Sequence, residues 1–204
     1  MELLHYLQQH FFTTEQLLKR SAISEDQLRH WQEHGLMPKP SYRLTLKISY
    51  DSFFGQHRDQ YDADYYAKEY VSWIEQLRSL NSEHEAFGVF ARRYRQRLEE
   101  LAVSERWQVD DFTTETHLAA EWRHFLDGTY GLCTVSGLPE DIAAKELAIA
   151  LIRETAGAPA LGDRDRLCRA VDLLESVSSP FAPHEVAHSS RRRYVDDMRS
   201  AHGL

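Results

Sequence analysis

Cysteine is scarce in this chain: Cys133 and Cys168 are the only two among 204 residues. Two thiols are too few for a disulfide framework and lack the spacing of a metal site. They fit a reducing compartment, so a cytoplasmic location is expected. Long apolar runs are missing too. The most hydrophobic internal stretch, Leu147 to Ile152, is far too short to span a bilayer, and no membrane partner is expected. The opening MELLHYLQQHFF has neither a basic segment nor a small-residue cleavage site, and does not read as a signal peptide. Glycine is thin, with nine residues. No glycine loop cradles a phosphate and no dinucleotide fingerprint occurs, so no cofactor is expected. Positive charge is also in deficit. The chain holds 24 Lys and Arg against 32 Asp and Glu, a net of −8. Residues 1–48 carry six basic against five acidic side chains, the remainder eighteen against twenty-seven. A nucleic-acid-binding domain usually shows a basic footprint, and neither part does. The one dense basic run, Arg191-Arg192-Arg193, is followed within a turn by Asp196 and Asp197.

What is present is enough for a core: 42% hydrophobic residues with 27% charged is the balance of a globular protein. The segment Phe12 to Tyr42 carries the clearest local signals. Thr13 with Gln16, and Ser24 with Gln27, have the spacing of two capping boxes. A short helix from about Thr14 to Lys19 is predicted, then a turn at Ser21-Ala22-Ile23, then a second helix to His34. Gly35 would end that helix, and Pro38 and Pro40 prevent its resumption. Leu17, Leu18, Ile23, Leu28, Trp31 and Leu36 would pack the pair together.

Leu28, Arg29, Trp31, Gly35, Leu36 and Pro38 resemble the MerR-type helix-turn-helix residue by residue. DNA-binding members usually carry basic residues directly after the capping Ser, and here Glu25 and Asp26 stand there. Carboxylates suit the positive end of the helix dipole but not a polyanion. DNA is therefore the disfavoured partner. If DNA is bound, the resemblance implies phosphate contacts from Arg29, Lys39, Arg43 and Lys47, with Gln27 and His30 nearest the bases.

Further along, Arg43 to Ser49 alternates apolar and polar residues as a half-buried strand does, in the place of a wing. A helix is predicted from about Ala63, with Tyr66, Tyr70, Trp73 and Leu77 as its core stripe. Further helices are expected over Ser82 to Leu101, Thr114 to Phe125, Pro139 to about Thr155, Asp163 to Ser176, and from Pro183 to about Ser200. Gly128 to Cys133 and Gly157 to Gly162 read as turn and loop. The arginines at 92, 93, 95 and 97 alternate with aromatics and read as the solvated face of their helix. The fold class is mainly α: a MerR-like helix-turn-helix with a small β wing over residues 1–50, fused to a larger α-helical domain over 51–204.

Three constellations bear on chemistry. His184-Glu185-Val186-Ala187-His188 spells H-E-x-x-H, whose two histidines would share a helix face and hold zinc. The position of a third metzincin histidine is Tyr194, no Glu follows His188, and the triple arginine would repel a cation. No metal centre is therefore assigned, with His184, Glu185 and His188 the weak candidates. Cys133 lies in a glycine-bounded turn, with His117 and His124 on the preceding helix as potential bases, although a buried structural thiol explains it as well. His57 follows Phe53-Phe54-Gly55 and could line a pocket.

Over most of its length the chain is similar to an uncharacterised bacterial family of unknown function, whose members are labelled natural-product biosynthesis proteins. The resemblance is carried by Pro40-Ser41-Tyr42, Phe54-Gly55-x-His57, Gly128-Thr129-Tyr130-Gly131-x-Cys133, Pro139-Glu140-x-Ile142-x-x-Lys145-Glu146 and Ser189-Ser190-Arg-x-Arg-x-x-Asp196. It implies a shared ligand site at His57, Tyr130, Cys133, Arg191 and Arg193. The leading expectation is an accessory protein that binds a small-molecule ligand or a protein partner. A MerR-type transcriptional regulator is the alternative, and an enzyme using Cys133 or His57 a further one.

Overall fold

The computed structural model describes residues 2–105, 107–156 and 163–204; the loop expected at Gly157 to Gly162 lies outside them. The chain opens with α1 (Glu2–His10), β1 (Phe11–Thr13), α2 (Thr14–Ser21) and α3 (Glu25–Glu33). A long hairpin follows, β2 (Tyr42–Ser52) and β3 (Gly55–Ala67). Then come α4 (Tyr70–Leu77), α5 (Glu83–Glu105), α6 (Glu115–Leu126), α7 (Thr129–Cys133), α8 (Pro139–Ala156), α9 (Asp163–Val177) and α10 (Asp197–His202). The fold is mainly helical with one small antiparallel sheet, in the order β1-β3-β2.

Local chemistry sets the ends of α2 and α3. Thr13 accepts from the Gln16 backbone N–H, and the Gln16 side chain accepts from the Thr13 N–H, so this capping box is complete. At α3 only half of it forms: Ser24 Oγ accepts from the Gln27 N–H at 3.1 Å. The Gln27 side chain does not reach back; it borders an open cleft instead.

Two predicted elements change type. The helix expected from Ala63 does not start until Tyr70, because residues up to Ala67 are held as strand: Tyr65, Tyr66 and Ala67 pair with Thr13, Phe12 and Phe11. Strand alternation then splits the two tyrosines. Tyr65 enters a small core with Tyr6, Leu7 and Phe11, and Tyr66 enters the main core. The turn expected at Gly128 to Cys133 is confined to Asp127 and Gly128, after which Thr129–Cys133 forms the short helix α7. The boundary expected at residue 50 falls inside β2, where Tyr50 is paired with His57.

The main core is aromatic. Trp73 and Tyr70 are fully buried against Phe125, Phe90 and Trp122. Trp73 also donates its indole N–H to the Leu36 carbonyl at 2.9 Å, tying α4 to the end of α3. α8 is buried on nearly every side, through Ile142, Ala143, Leu147, Ile149 and Ile152, and it packs between α5 and α9. A helix apolar all round is a central helix. The α5 arginines are less solvated than expected. Arg93 makes a bidentate pair with Glu140 at 2.6 and 2.8 Å, while Arg95 pairs with Glu115 and Arg97 with Glu100.

α7 is where the first part of the chain locks onto the helical body. Gly128 sits at φ +81°, and a Cβ there would lie 2.7 Å from the Lys39 carbonyl. A Cβ on Gly131 would lie 2.7 Å from Tyr70 Oη and closer still to Ser41 Oγ. The backbone of Lys39 donates to the Leu126 carbonyl at 2.8 Å, and its ammonium pairs with Asp127. The Pro40-Ser41-Tyr42 and Gly128-to-Cys133 segments singled out in sequence are thus two sides of one joint.

Candidate functional site

Tyr130 and Cys133 are brought together by α7, at the edge of a buried polar cluster. Tyr130 Oη donates to Glu121 of α6 and lies 3.3 Å from Glu146 Oε1 of α8. Burial raises both carboxyls above their ordinary range, and Glu121 raises Glu146 further. A phenol has one hydrogen and can donate to only one of the two carboxyls at a time, and the two acids repel each other when both are charged. Beside them His117 Nε2 is 2.9 Å from Tyr94 Oη. Burial lowers the imidazole and raises the phenol.

Cys133 forms no pair with His117 or His124 and sits as the largely buried thiol that was the simpler expectation. His117 is taken by Tyr94, and the thiol faces Lys145, a fully enclosed ammonium on α8 that donates to Ser190 Oγ at 2.8 Å. Burial pushes the thiol up and Lys145 offsets only part of that, the opposite of what activates a nucleophilic cysteine. Arg191, next to Ser190, makes a 2.6 Å pair with Glu175 at the end of α9. Arg193 instead lies over the Tyr194 ring, 5.2 Å from its centroid. The implied ligand set is therefore scattered. Tyr130 and Cys133 are neighbours, Arg191 connects through Ser190 and Lys145, and Arg193 stands apart. His57 is out on the exposed hairpin beside Tyr50, at 5.2 Å between ring centroids.

Sequence reasoning missed Glu121, Lys145 and Glu146 as partners of Tyr130 and Cys133. A signal existed: Glu121 falls in the apolar series Leu118, Trp122, Phe125, and Lys145-Glu146 interrupts a run of Ala and Leu. Charges on a core face are unusual unless paired.

The H-E-x-x-H segment is not an α-helix. Val186–His188 forms a single 3-10 turn, and Ser189 is extended. The two histidines thus lose the one-turn spacing that a helical zinc site requires. Glu185 is engaged elsewhere, accepting from Tyr42 Oη at 2.6 Å. Among the described residues no group of three His, Cys, Asp or Glu is placed to hold a metal ion.

The residues assigned to DNA contact lie on α3, on the hairpin and, for Lys39, on the segment between them, but most of the cations are already paired. Arg29 binds Glu25 at 2.9 Å, Lys39 binds Asp127 at 2.8 Å, and Arg43 lies 3.5 Å from Asp64. Gln27 and His30 line an open cleft of about 610 Å³ between α3 and the start of α5, together with Trp31, His34 and Arg78. Lys47 is on the hairpin opposite Gln60.

Most of the hairpin beyond its base is exposed. On one face, Tyr42, Leu44, Leu46, Ile48 and Tyr50 stand opposite Tyr65, Ala63, Tyr61, Asp59 and His57. The base of this apolar stripe packs on Tyr6, Leu7 and Leu3. Beyond Leu46 it runs out into solvent: Ile48, Tyr50 and Tyr61 are about half exposed, and the tip residues Phe53 and Phe54 are 95% and 94% exposed. The other face is polar, with Arg43, Thr45, Lys47, Ser49 and Asp51 opposite Asp64, Asp62, Gln60, Arg58 and Gln56. A lone two-stranded ribbon is marginal in water, and an exposed apolar stripe marks an interaction surface.

Among known families, one described as a family of unknown function, DUF6058, matches residues 86–203. That stretch runs from α5 through α10 and holds the polar cluster, while the sheet and the hairpin precede it. No curated protein and no solved structure matches the chain.

Proposed function

We propose that this chain, which belongs to the DUF6058 family of unknown function, is a binding protein that works by contact with another protein chain through its β2–β3 hairpin. On this reading the contact is made in the cytoplasm beside biosynthetic enzymes, the setting that the natural-product resemblance would imply. The observation that carries the reading is the two-faced ribbon ending in exposed Phe53 and Phe54. Tyr66, Tyr70 and Trp73 fill the core, as their spacing predicts, and so are not free to line a small-molecule site. Tyr130 is bonded within the chain, its hydroxyl donating to Glu121 and its carbonyl accepting from Thr134 Oγ1, which favours a structural role over a ligand site. The test is affinity capture from the source cells with the parent and a Phe53→Ser/Phe54→Ser variant. Both residues are exposed, so stability should stay within about 0.5 kcal/mol while the captured partner is lost. Equal capture by the two proteins would remove the hairpin from the account.

The sheet order β1-β3-β2 with two short helices and a three-residue turn favours a MerR-like winged frame as the origin of this part. DNA binding gains less support. Each of Arg29, Lys39 and Arg43 would have to exchange a carboxylate for a phosphate, and Glu25 and Asp26 would still face the backbone. Titration against duplex DNA at two salt concentrations should show no salt-dependent shift.

A further inference from the structure

The hairpin also has an open backbone edge. β2 is the outermost strand of the sheet, and β1 covers β3 only at residues 65–67. Phe53 and Phe54 form a two-residue loop, and Ser52 is paired with Gly55. A two-residue loop closes on a pair that exchanges both backbone hydrogen bonds, and such pairs recur at every second residue. The even-numbered residues from Ser52 back to Tyr42 therefore bond inward to β3. The N–H and C=O groups of Thr45, Lys47, Ser49 and Asp51 point to the free edge. An edge this long and unprotected is a template for another strand.

We infer that the occupant of this edge is a second copy of the same chain, its β2 antiparallel to the first about a two-fold axis at Ser49. The inference rests on the contact role proposed for the hairpin and names the partner. Three observations select the occupant and the register. First, apolar residues occupy even positions and polar residues odd ones, so both copies present their apolar stripes on one side only if even positions oppose even. The axis must then pass through a single residue. Second, charge decides which residue. An axis at Lys47 sets two ammonium groups directly opposite each other, which is destabilising. An axis at Ile48 leaves Lys47 opposite Ser49. An axis at Ser49 puts each Lys47 directly opposite the other copy's Asp51, twice by symmetry. Third, the same register sets Ile48 opposite Tyr50 and brings Phe53 and Phe54 to Thr45 and Leu44 at the base of the second hairpin. Phe53 and Phe54 then lie beside the second hairpin instead of standing free at the tip, while Ile48, Tyr50 and Tyr61 join one apolar face that runs across both copies.

Sedimentation equilibrium of the full chain tests this, using the parent, Lys47→Asp, Asp51→Lys and the double exchange. Both side chains are exposed, and thermal unfolding checks that each variant folds. The parent should be a concentration-dependent dimer. Each single reversal should weaken it on the order of tenfold by setting like charges opposite. The double exchange should restore association to within about threefold of the parent, because the pair is re-formed with its signs swapped. A parent that stays monomeric overturns the inference; if the Phe53/Phe54 variant still loses a captured partner, the contact role survives with a different protein on the hairpin. A dimer indifferent to the single reversals, or one that the double exchange fails to restore, overturns the inference as well.

Discussion

Replacing Gly131 with Ala adds one methyl group at the joint between the two parts of the chain. The added carbon would lie 2.7 Å from Tyr70 Oη and 3.2 Å from Tyr70 Cζ, and closer still to Ser41 Oγ. The Tyr70 ring cannot easily withdraw, and the Ser41 backbone cannot shift to make room. Tyr70 is fully enclosed and set edge-on to Phe125 at 6.1 Å, and Ser41 is held by its backbone bond to the Tyr65 carbonyl. Overpacking of this kind costs about 1–3 kcal/mol. In a chain of this size each kcal/mol moves the midpoint by about 2–4 °C, so thermal unfolding should fall by roughly 2–12 °C. Gly88 is the control. It lies on an exposed face of α5, and a methyl carbon added there would have nothing within 4 Å. There the helix preference of Ala over Gly should raise stability by about 1 kcal/mol. The same substitution thus has opposite signs at two helical positions. Urea and thermal unfolding of both variants measure it, and Gly131→Ala in a Tyr70→Phe, Ser41→Ala background should recover part of the loss. If Gly131→Ala is as stable as Gly88→Ala, the close packing of α7 on Tyr70 is wrong.

The carboxyl pair makes stability fall as pH rises. Glu121 and Glu146 are raised in the folded chain, so between a free glutamate's value near 4.5 and the raised value the folded state binds more protons than the unfolded one, and each proton lost weakens the fold. Unfolding measured from pH 4.5 upward should show that decline, with a shallower slope in Glu146→Gln; an unchanged slope would place the proton elsewhere. In the H-E-x-x-H segment, Glu185→Ala should cost about 1–3 kcal/mol by leaving the half-buried Tyr42 hydroxyl without its acceptor. His184→Ala and His188→Ala should stay within about 0.5 kcal/mol, since both rings are exposed; a larger loss at either histidine would restore a role for them. Cys133 should react slowly with thiol reagents at pH 8, because burial holds it as the thiol, and fast labelling of the native protein would contradict that.

Signals that act within a few residues were legible without a structure. The Thr13 and Ser24 hydroxyls start α2 and α3 because a cap bonds the first turn of its own helix. The alternation of Arg43 to Ser49 places β2, the apolar spacing of Phe87, Phe90, Tyr94 and Leu98 places α5, and Pro139 with Glu140 and Asp141 behind it starts α8. Tertiary contacts decided the rest. Tyr65 and Tyr66 read as the start of a helix until β1 and β2 claim them as strand. The H-E-x-x-H pattern carries helical spacing in letters, but Tyr42, far away in sequence, holds its Glu185 and the segment turns as 3-10. Cys133 meets Lys145 rather than a histidine because α7 faces α8 there. Backbone capping and periodicity are properties of neighbours along the chain, so the sequence alone determines them. Which side chain faces which depends on how helices and strands stack, and that is set only once the whole core closes.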